Sequence, residues 1–175
     1  LAEVHPGAEG GGAWAPLFGF LVHTGARPAE ALALEHRHVD LDARTVELPG
    51  LKTDLSWRTV HLTSRGVEAI RSVPRAIPTR KVFHVGGRPV SWPYFTREVW
   101  HPALVLAKLE PRAPYFLRRI YAFHCLQPGV PIATLPRQMS QSTYDRPFIT
   151  DGGWGTHMSA QAAARLDTGI AGRYT

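Results

Sequence analysis

The stretch from Ala13 to Leu34 constrains the fold most, because two helical patterns meet there at a short, chemically marked corner. Trp14, Leu17, Phe18, Leu21 and Val22 recur at three- and four-residue steps, the spacing of a half-buried helix over Ala13 to His23. Thr24-Gly25 ends that pattern, and Pro28 suits the first turn of the next helix because it has no N–H to leave unpaired. Ala31, Leu32, Ala33 and Leu34 then continue a short apolar face. Arg27 is thereby placed at a helix-to-helix corner.

The rest of the chain adds one small sheet to a helical frame. Thr45 to Leu48 and Arg58 to Leu62 alternate in side-chain character, with Pro49-Gly50 and Asp54 as turn residues, which predicts a hairpin carrying Lys52 between its strands. Ser64 reads as the N-cap of a helix through Val73, and Pro74, Pro78 and Gly86-Gly87 mark loops around a short Val82-Phe83 strand. Pro93 to Leu109 is helix-like, and Pro114 to Leu126 places Phe116, Leu117, Ile120, Phe123 and Leu126 on one apolar side before Pro128-Gly129 stops it. Pro131 to Met139 reads as a further short helix, Asp145 to Gly155 as an irregular loop, and Ala160 to Ala171 as a final amphipathic helix. The expectation is a mostly α domain with a small antiparallel β-sheet, an α+β architecture. Its bounds are a Gly-rich lead-in at 1–12, which reads as a flexible segment or a truncated linker, one domain at 13–171, and a tail at 172–175.

Composition narrows the partner. The 175 residues, 44% of them hydrophobic, suffice for one core. Twenty Lys and Arg against fourteen Asp and Glu give a formal charge of +6, which favours an anionic partner such as a nucleic acid backbone, although ribosomal or membrane-surface roles fit that charge equally well. The single cysteine, Cys125, cannot form an internal disulfide, so a cytoplasmic location is the simpler reading. The longest apolar stretch, Ala13 to Val22, is too short to span a bilayer, and no signal-peptide series opens the chain.

The corner carries a resemblance. Thr24-Gly25-Ala26-Arg27-Pro28-Ala29-Glu30-Ala31-Leu32-Ala33-Leu34, followed by Val39-Asp40-Leu41-Asp42, resembles the first catalytic box of tyrosine recombinases, the phage-integrase family. That family continues with a β-hairpin bearing an active-site lysine in a Lys-Thr pair and then an Arg-Thr-Val strand. Leu51-Lys52-Thr53 and Arg58-Thr59-Val60-His61-Leu62 repeat the order. The second box, usually His-x-Leu-Arg-His followed by a helix and a Gly-Val turn, is resembled by Tyr115-Phe116-Leu117-Arg118-Arg119 and Gly129-Val130, which keep the arginine and replace both histidines. Met139-Ser140-Gln141-Ser142 resembles the family's Leu-Gly-His-Ser segment. The nucleophile position falls on Asp151, or on Trp154 when Thr150 to Trp154 is matched to the family's Thr-x-x-x-Tyr run. Neither residue is a tyrosine.

The resemblance, over about residues 13 to 171, implies the DNA breaking-rejoining fold and a domain that binds duplex DNA. Arg27 and Arg118 would clamp a phosphate with planar forks that stay protonated. Lys52 would protonate the leaving 5′ oxygen. Tyr115 and Gln141 would stand where the family places histidines, able to donate hydrogen bonds but not to carry protons near neutral pH. Arg119 would add a DNA contact. With no tyrosine in the nucleophile position, strand cleavage would be impaired or absent, because an indole supplies no nucleophile and a carboxylate would give a labile acyl phosphate. Tyr144 lies outside that position and would act only after rearrangement. The resemblance implies no cofactor and no small-molecule substrate; it adds, as a possible partner, other recombinase subunits through the C-terminal helix.

Each of these residues also has a structural reading: Arg27 and Arg118 as surface or salt-bridged cations, Lys52 as a solvated hairpin side chain. The nine histidines, with His36 and His38 near a helix end and His84, His101, His124 and His157 scattered, form no metal-binding pattern. Trp92, Tyr94, Phe95 and Trp100 read as core packing rather than base-stacking groups. Two further functions fit the same residues: a noncatalytic DNA-binding or regulatory module, and the decayed remnant of a mobile element.

Overall fold

The computed structural model describes residues 14–50, 57–76 and 79–126. Helix α1 (Trp14–Thr24) is the central strut, packed by α3 (Ser64–Arg71) and α6 (Phe116–Leu126). Its buried surface is wider than the sequence period suggests. Phe20 is fully buried alongside Leu17 and Leu21, its ring 5.3 Å from that of Phe83 between centroids. Helix α3 packs over Gly19, where an added Cβ would meet the Ala69 methyl at an ordinary contact distance of 3.6 Å.

Gly25 ends α1 at a φ of 63°, a left-handed conformation that glycine adopts without steric cost, and its N–H caps the Leu21 carbonyl at 3.0 Å. Helix α2 (Pro28–Ala33) follows, with Pro28 at its start as the sequence predicts. A single 3-10 turn (His36–His38) leads to β1 (Val39–Asp40), β2 (Thr45–Leu48) and β3 (Arg58–His61). These form an antiparallel sheet in the order β1-β2-β3, with Val46 opposite Val60 and Leu48 opposite Arg58. Val46, Leu48 and Val60 turn to the core, the alternation expected of a sheet with one wet face. The predicted hairpin is therefore present; Lys52, in its connection, lies outside the described residues.

Three local boundaries differ from the sequence reading. Thr63, not Ser64, caps α3, its Oγ1 accepting the Gly66 N–H at 3.1 Å. The strand assigned to Val82-Phe83 forms instead at β4 (His84–Val85), paired with β5 (Arg88–Pro89) across Gly86-Gly87, both at positive φ as a two-residue hairpin turn requires. Val82 is drawn away because its N–H donates to the Leu34 carbonyl at 2.9 Å, while Lys81 bridges to Glu35. The helix expected over Pro93 to Leu109 is a composite of α4 (Trp92–Tyr94), a π-helical turn (Phe95–Trp100) and α5 (His101–Leu106). The wider turn places Phe95, Val99 and Trp100 in the core beside Trp14 and Phe18, with Phe18 and Trp100 stacked at 5.9 Å between ring centroids. Phe95 and Trp100 are packing residues, as expected; Trp92 stays 45% exposed.

Helix α6 buries Leu117 and Ile120, as its apolar period predicts, and buries Arg118 as completely. Among the described residues, no helix is long and apolar enough to cross a membrane.

Candidate functional site

The site begins with a carboxylate. Glu30 stands in the first turn of α2, 1% exposed, and its Oε2 accepts the Arg27 backbone N–H at 2.8 Å. Its Oε1 accepts two guanidinium donors at once, Arg27 Nη1 at 2.8 Å and Arg58 Nη1 at 2.9 Å. One buried carboxylate thus ties the helix corner to β3. Arg27 is a third exposed at its side chain, whereas Arg58 is only 10% exposed.

Gly25 brings the third cation. A Cβ at this position would stand 2.4 Å from Tyr121 Cδ1, so only glycine lets the Tyr121 ring, and with it α6, close on the corner. The Gly25 carbonyl then accepts Arg118 Nη1 at 2.6 Å, joining residues 93 positions apart. Arg118 is fully buried, and its guanidinium carbon lies 5.8 Å from the Tyr115 ring centroid. In both Arg58 and Arg118 the Nε and Nη2 atoms are buried and have no hydrogen-bond partner among the described residues. Buried donors are almost always satisfied, so two buried guanidiniums that each keep an open edge, and that are near enough for the Arg58 charge to act on Arg118, are a feature that calls for a ligand.

The electrostatics agree. Burial lowers the Arg118 pKa to about 10; Tyr115 and Glu30 pull it up, while Arg27 and Arg58 push it further down. Arg118 remains protonated at neutral pH, but as a cation held where the fold disfavours one. Burial also lowers Arg119, with Tyr115 opposing. Tyr121 is raised well above the ordinary phenol value by burial and by its hydrogen bond with Cys125, so it stays neutral. For Glu30, burial raises the pKa, but the hydrogen bond and charge of Arg58, with the Arg27 amide and guanidinium, outweigh it and hold the carboxyl below its usual 4.5. A carboxylate with a depressed folded pKa contributes stability that is present above the unfolded value and lost as pH falls through the folded one. Melting temperature measured from about pH 7 down to about pH 3 should therefore fall in the acid limb, and Glu30→Gln should flatten that limb.

Of the residues singled out from sequence, the structure brings Arg27, Tyr115 and Arg118 to one place, with Arg119 next along α6 and half-buried. Lys52, Gln141, Tyr144, Asp151 and Trp154 lie outside the described residues. Sequence reasoning missed three participants. Glu30 and Arg58 were both inside quoted motifs, and the signal that could have found them is their opposite charge in two segments already expected to converge. Tyr121 carries no local signal, since its role comes from helix packing. His124 is exposed.

The helix corner, the three-stranded sheet, the composite helix and the arginine-bearing α6, in this order, make up the catalytic-domain fold of tyrosine recombinases. The crystal structure of XerA recombinase superposes with a TM-score of 0.66 at 17% identity, covering 96% of this chain and 65% of that one. The Tn1549 transposon integrase in complex with transposon right end DNA gives 0.59 at 18% identity, covering 85% and 56%. The same integrase in complex with circular intermediate DNA gives 0.60 at 17%, covering 85% and 57%. This chain thus spans less than two thirds of the length of each of these three structures. No protein-family model and no curated protein sequence matches it.

Proposed function

We propose that this chain is an integrase-type DNA-binding domain that holds a backbone phosphate of duplex DNA at Arg27 and Arg118 and is impaired or inactive in strand cleavage. The observation that carries the reading is the convergence of those two guanidiniums, from distant segments, on one corner where buried N–H groups are left to donate. Arginine suits a phosphate because its fork donates two parallel hydrogen bonds and its charge persists. The matched integrase structures contain DNA, which fits a duplex partner for this fold. Lys52 and Arg119 would extend the contact, and the C-terminal helix would offer a surface to other recombinase subunits. A cytoplasmic setting and a mobile-element origin belong to the same reading.

Impaired cleavage is supported by the residue types that occupy the positions the resemblance assigns to histidine and tyrosine. Tyr115, in place of a histidine, has its ring centroid 5.8 Å from the Arg118 guanidinium carbon, and it offers a hydroxyl where the family has an imidazole. Neither Asp151 nor Trp154 supplies a phenolate nucleophile, and Gln141 adds a donor without acid-base capacity. This favours, as the second reading, a noncatalytic DNA-binding or regulatory module built on the same site.

A gel-shift titration across salt concentrations tests both. Wild type should bind duplex DNA with a steep inverse salt dependence, and Arg27→Ala should weaken binding by about tenfold and reduce the salt slope by about one. Arg118→Lys, which keeps the charge but not the fork, should weaken it as well. A nicked suicide duplex should yield no covalent adduct. Binding indifferent to salt and to Arg27→Ala would remove the DNA reading, and an adduct that vanishes in Tyr144→Phe would remove the inactive one.

A further inference from the structure

We propose that Arg58 is a third phosphate-contacting group of this site, acting with Arg27 and Arg118 so that the pocket prefers a doubly charged phosphoryl group over a singly charged diester. The inference rests on the phosphate-site reading above and specifies the charge state that the site accepts.

The geometry of the two open edges is the first support. Arg58 uses Nη1 for Glu30, and Arg118 uses Nη1 for the Gly25 carbonyl. In each, the atoms left over are Nε and Nη2. These are the two nitrogens that lie side by side on one edge of the guanidinium plane and donate in parallel, the arrangement that fits two oxygens of one phosphoryl group. A guanidinium serving only to neutralise Glu30 would have no reason to keep that edge both buried and open.

Charge balance is the second support. Arg27, Arg58 and Arg118 bring three positive charges against one from Glu30, leaving a surplus of two in a largely desolvated corner. A diester neutralises half of that surplus; a phosphate monoester dianion neutralises all of it. The same match would hold for a diester under nucleophilic attack, where a second charge develops on the nonbridging oxygens. Arg27, the most exposed of the three, leaves the corner reachable from solvent.

The test is calorimetric titration of the full chain with methyl phosphate and with dimethyl phosphate at about pH 8, well above the second phosphate pKa near 6, so that the two probes differ by one charge and one methyl. Wild type should take methyl phosphate about tenfold more tightly. Arg58→Gln should lose about that factor for methyl phosphate while changing dimethyl phosphate little. Arg58→Lys keeps an ion pair to Glu30 but not the parallel fork, so it should also lose most of the preference, and it carries the test should the glutamine variant fail to fold. A wild type that does not discriminate, or a folded Arg58 variant with wild-type preference, overturns the proposal. If that happens while Arg27→Ala still weakens salt-dependent duplex binding, the DNA reading stands; if the methyl phosphate preference depends on Arg58 but no duplex binds, the DNA reading alone fails.

Discussion

Replacing Glu30 with alanine is expected to destabilise the domain by about 3–5 kcal/mol, because it removes the carboxylate that, among the described residues, compensates the buried guanidinium of Arg58. The effect comes mainly from Arg58, 10% exposed and left without the carboxylate its Nη1 donates to, and from Arg118, which loses the nearby negative charge that favours its protonated form. The Arg27 bond adds little, since that side chain is a third exposed and water can replace the carboxylate. Against a typical total stability of about 5–15 kcal/mol this is a large fraction, and it corresponds to a fall in melting temperature on the order of 10 °C. Urea and thermal unfolding measure it directly. A Glu30→Ala protein that melts within a degree or two of wild type would mean that the three arginines are solvated and that the site is not the buried cluster described above.

Gly25→Ala should be the second most damaging single change in the site. A left-handed backbone costs a non-glycine residue roughly 1–2 kcal/mol, and forcing a methyl into packed atoms costs about 1–3 kcal/mol more. Both apply here: φ is 63° and the new Cβ would meet Tyr121 Cδ1 at 2.4 Å. Relief requires α6 to move away from the corner, which lengthens the bond from Arg118 to the Gly25 carbonyl, so DNA binding should fall together with stability. Pairing the change with Tyr121→Leu distinguishes the two costs. The steric part should be recovered and the backbone part should remain, giving a double-mutant coupling of the size seen for residues in contact. Additive losses would show that the ring does not press on Gly25.

Much of the architecture was readable in the chain. The helix periods of α1 and α6, the Thr24-Gly25 stop, the Pro28 start and the alternation of Thr45 to Leu48 and Arg58 to Leu62 are local signals, each set by a few neighbouring residues. The departures arise where long-range contacts compete with local ones. Val82 exchanges a strand partner for the Leu34 carbonyl, and the turn at Phe95 to Trp100 widens so that two large aromatics reach the core. Phe20 falls off the predicted stripe of α1 because Phe83, distant in sequence, packs against it with ring centroids 5.3 Å apart.

The sequence by itself determined that Arg27 would stand at a helix corner, that Arg118 would ride on an amphipathic helix, and that a hairpin would join β2 and β3; these follow from backbone propensity and hydrophobic period. Tertiary structure alone decided that Arg118 is buried rather than solvated, that Arg58 shares Glu30 with Arg27, and that Tyr121 closes over Gly25. Burial and charge coupling depend on which surfaces meet across the fold, and local spacing along a chain carries no direct record of that distance.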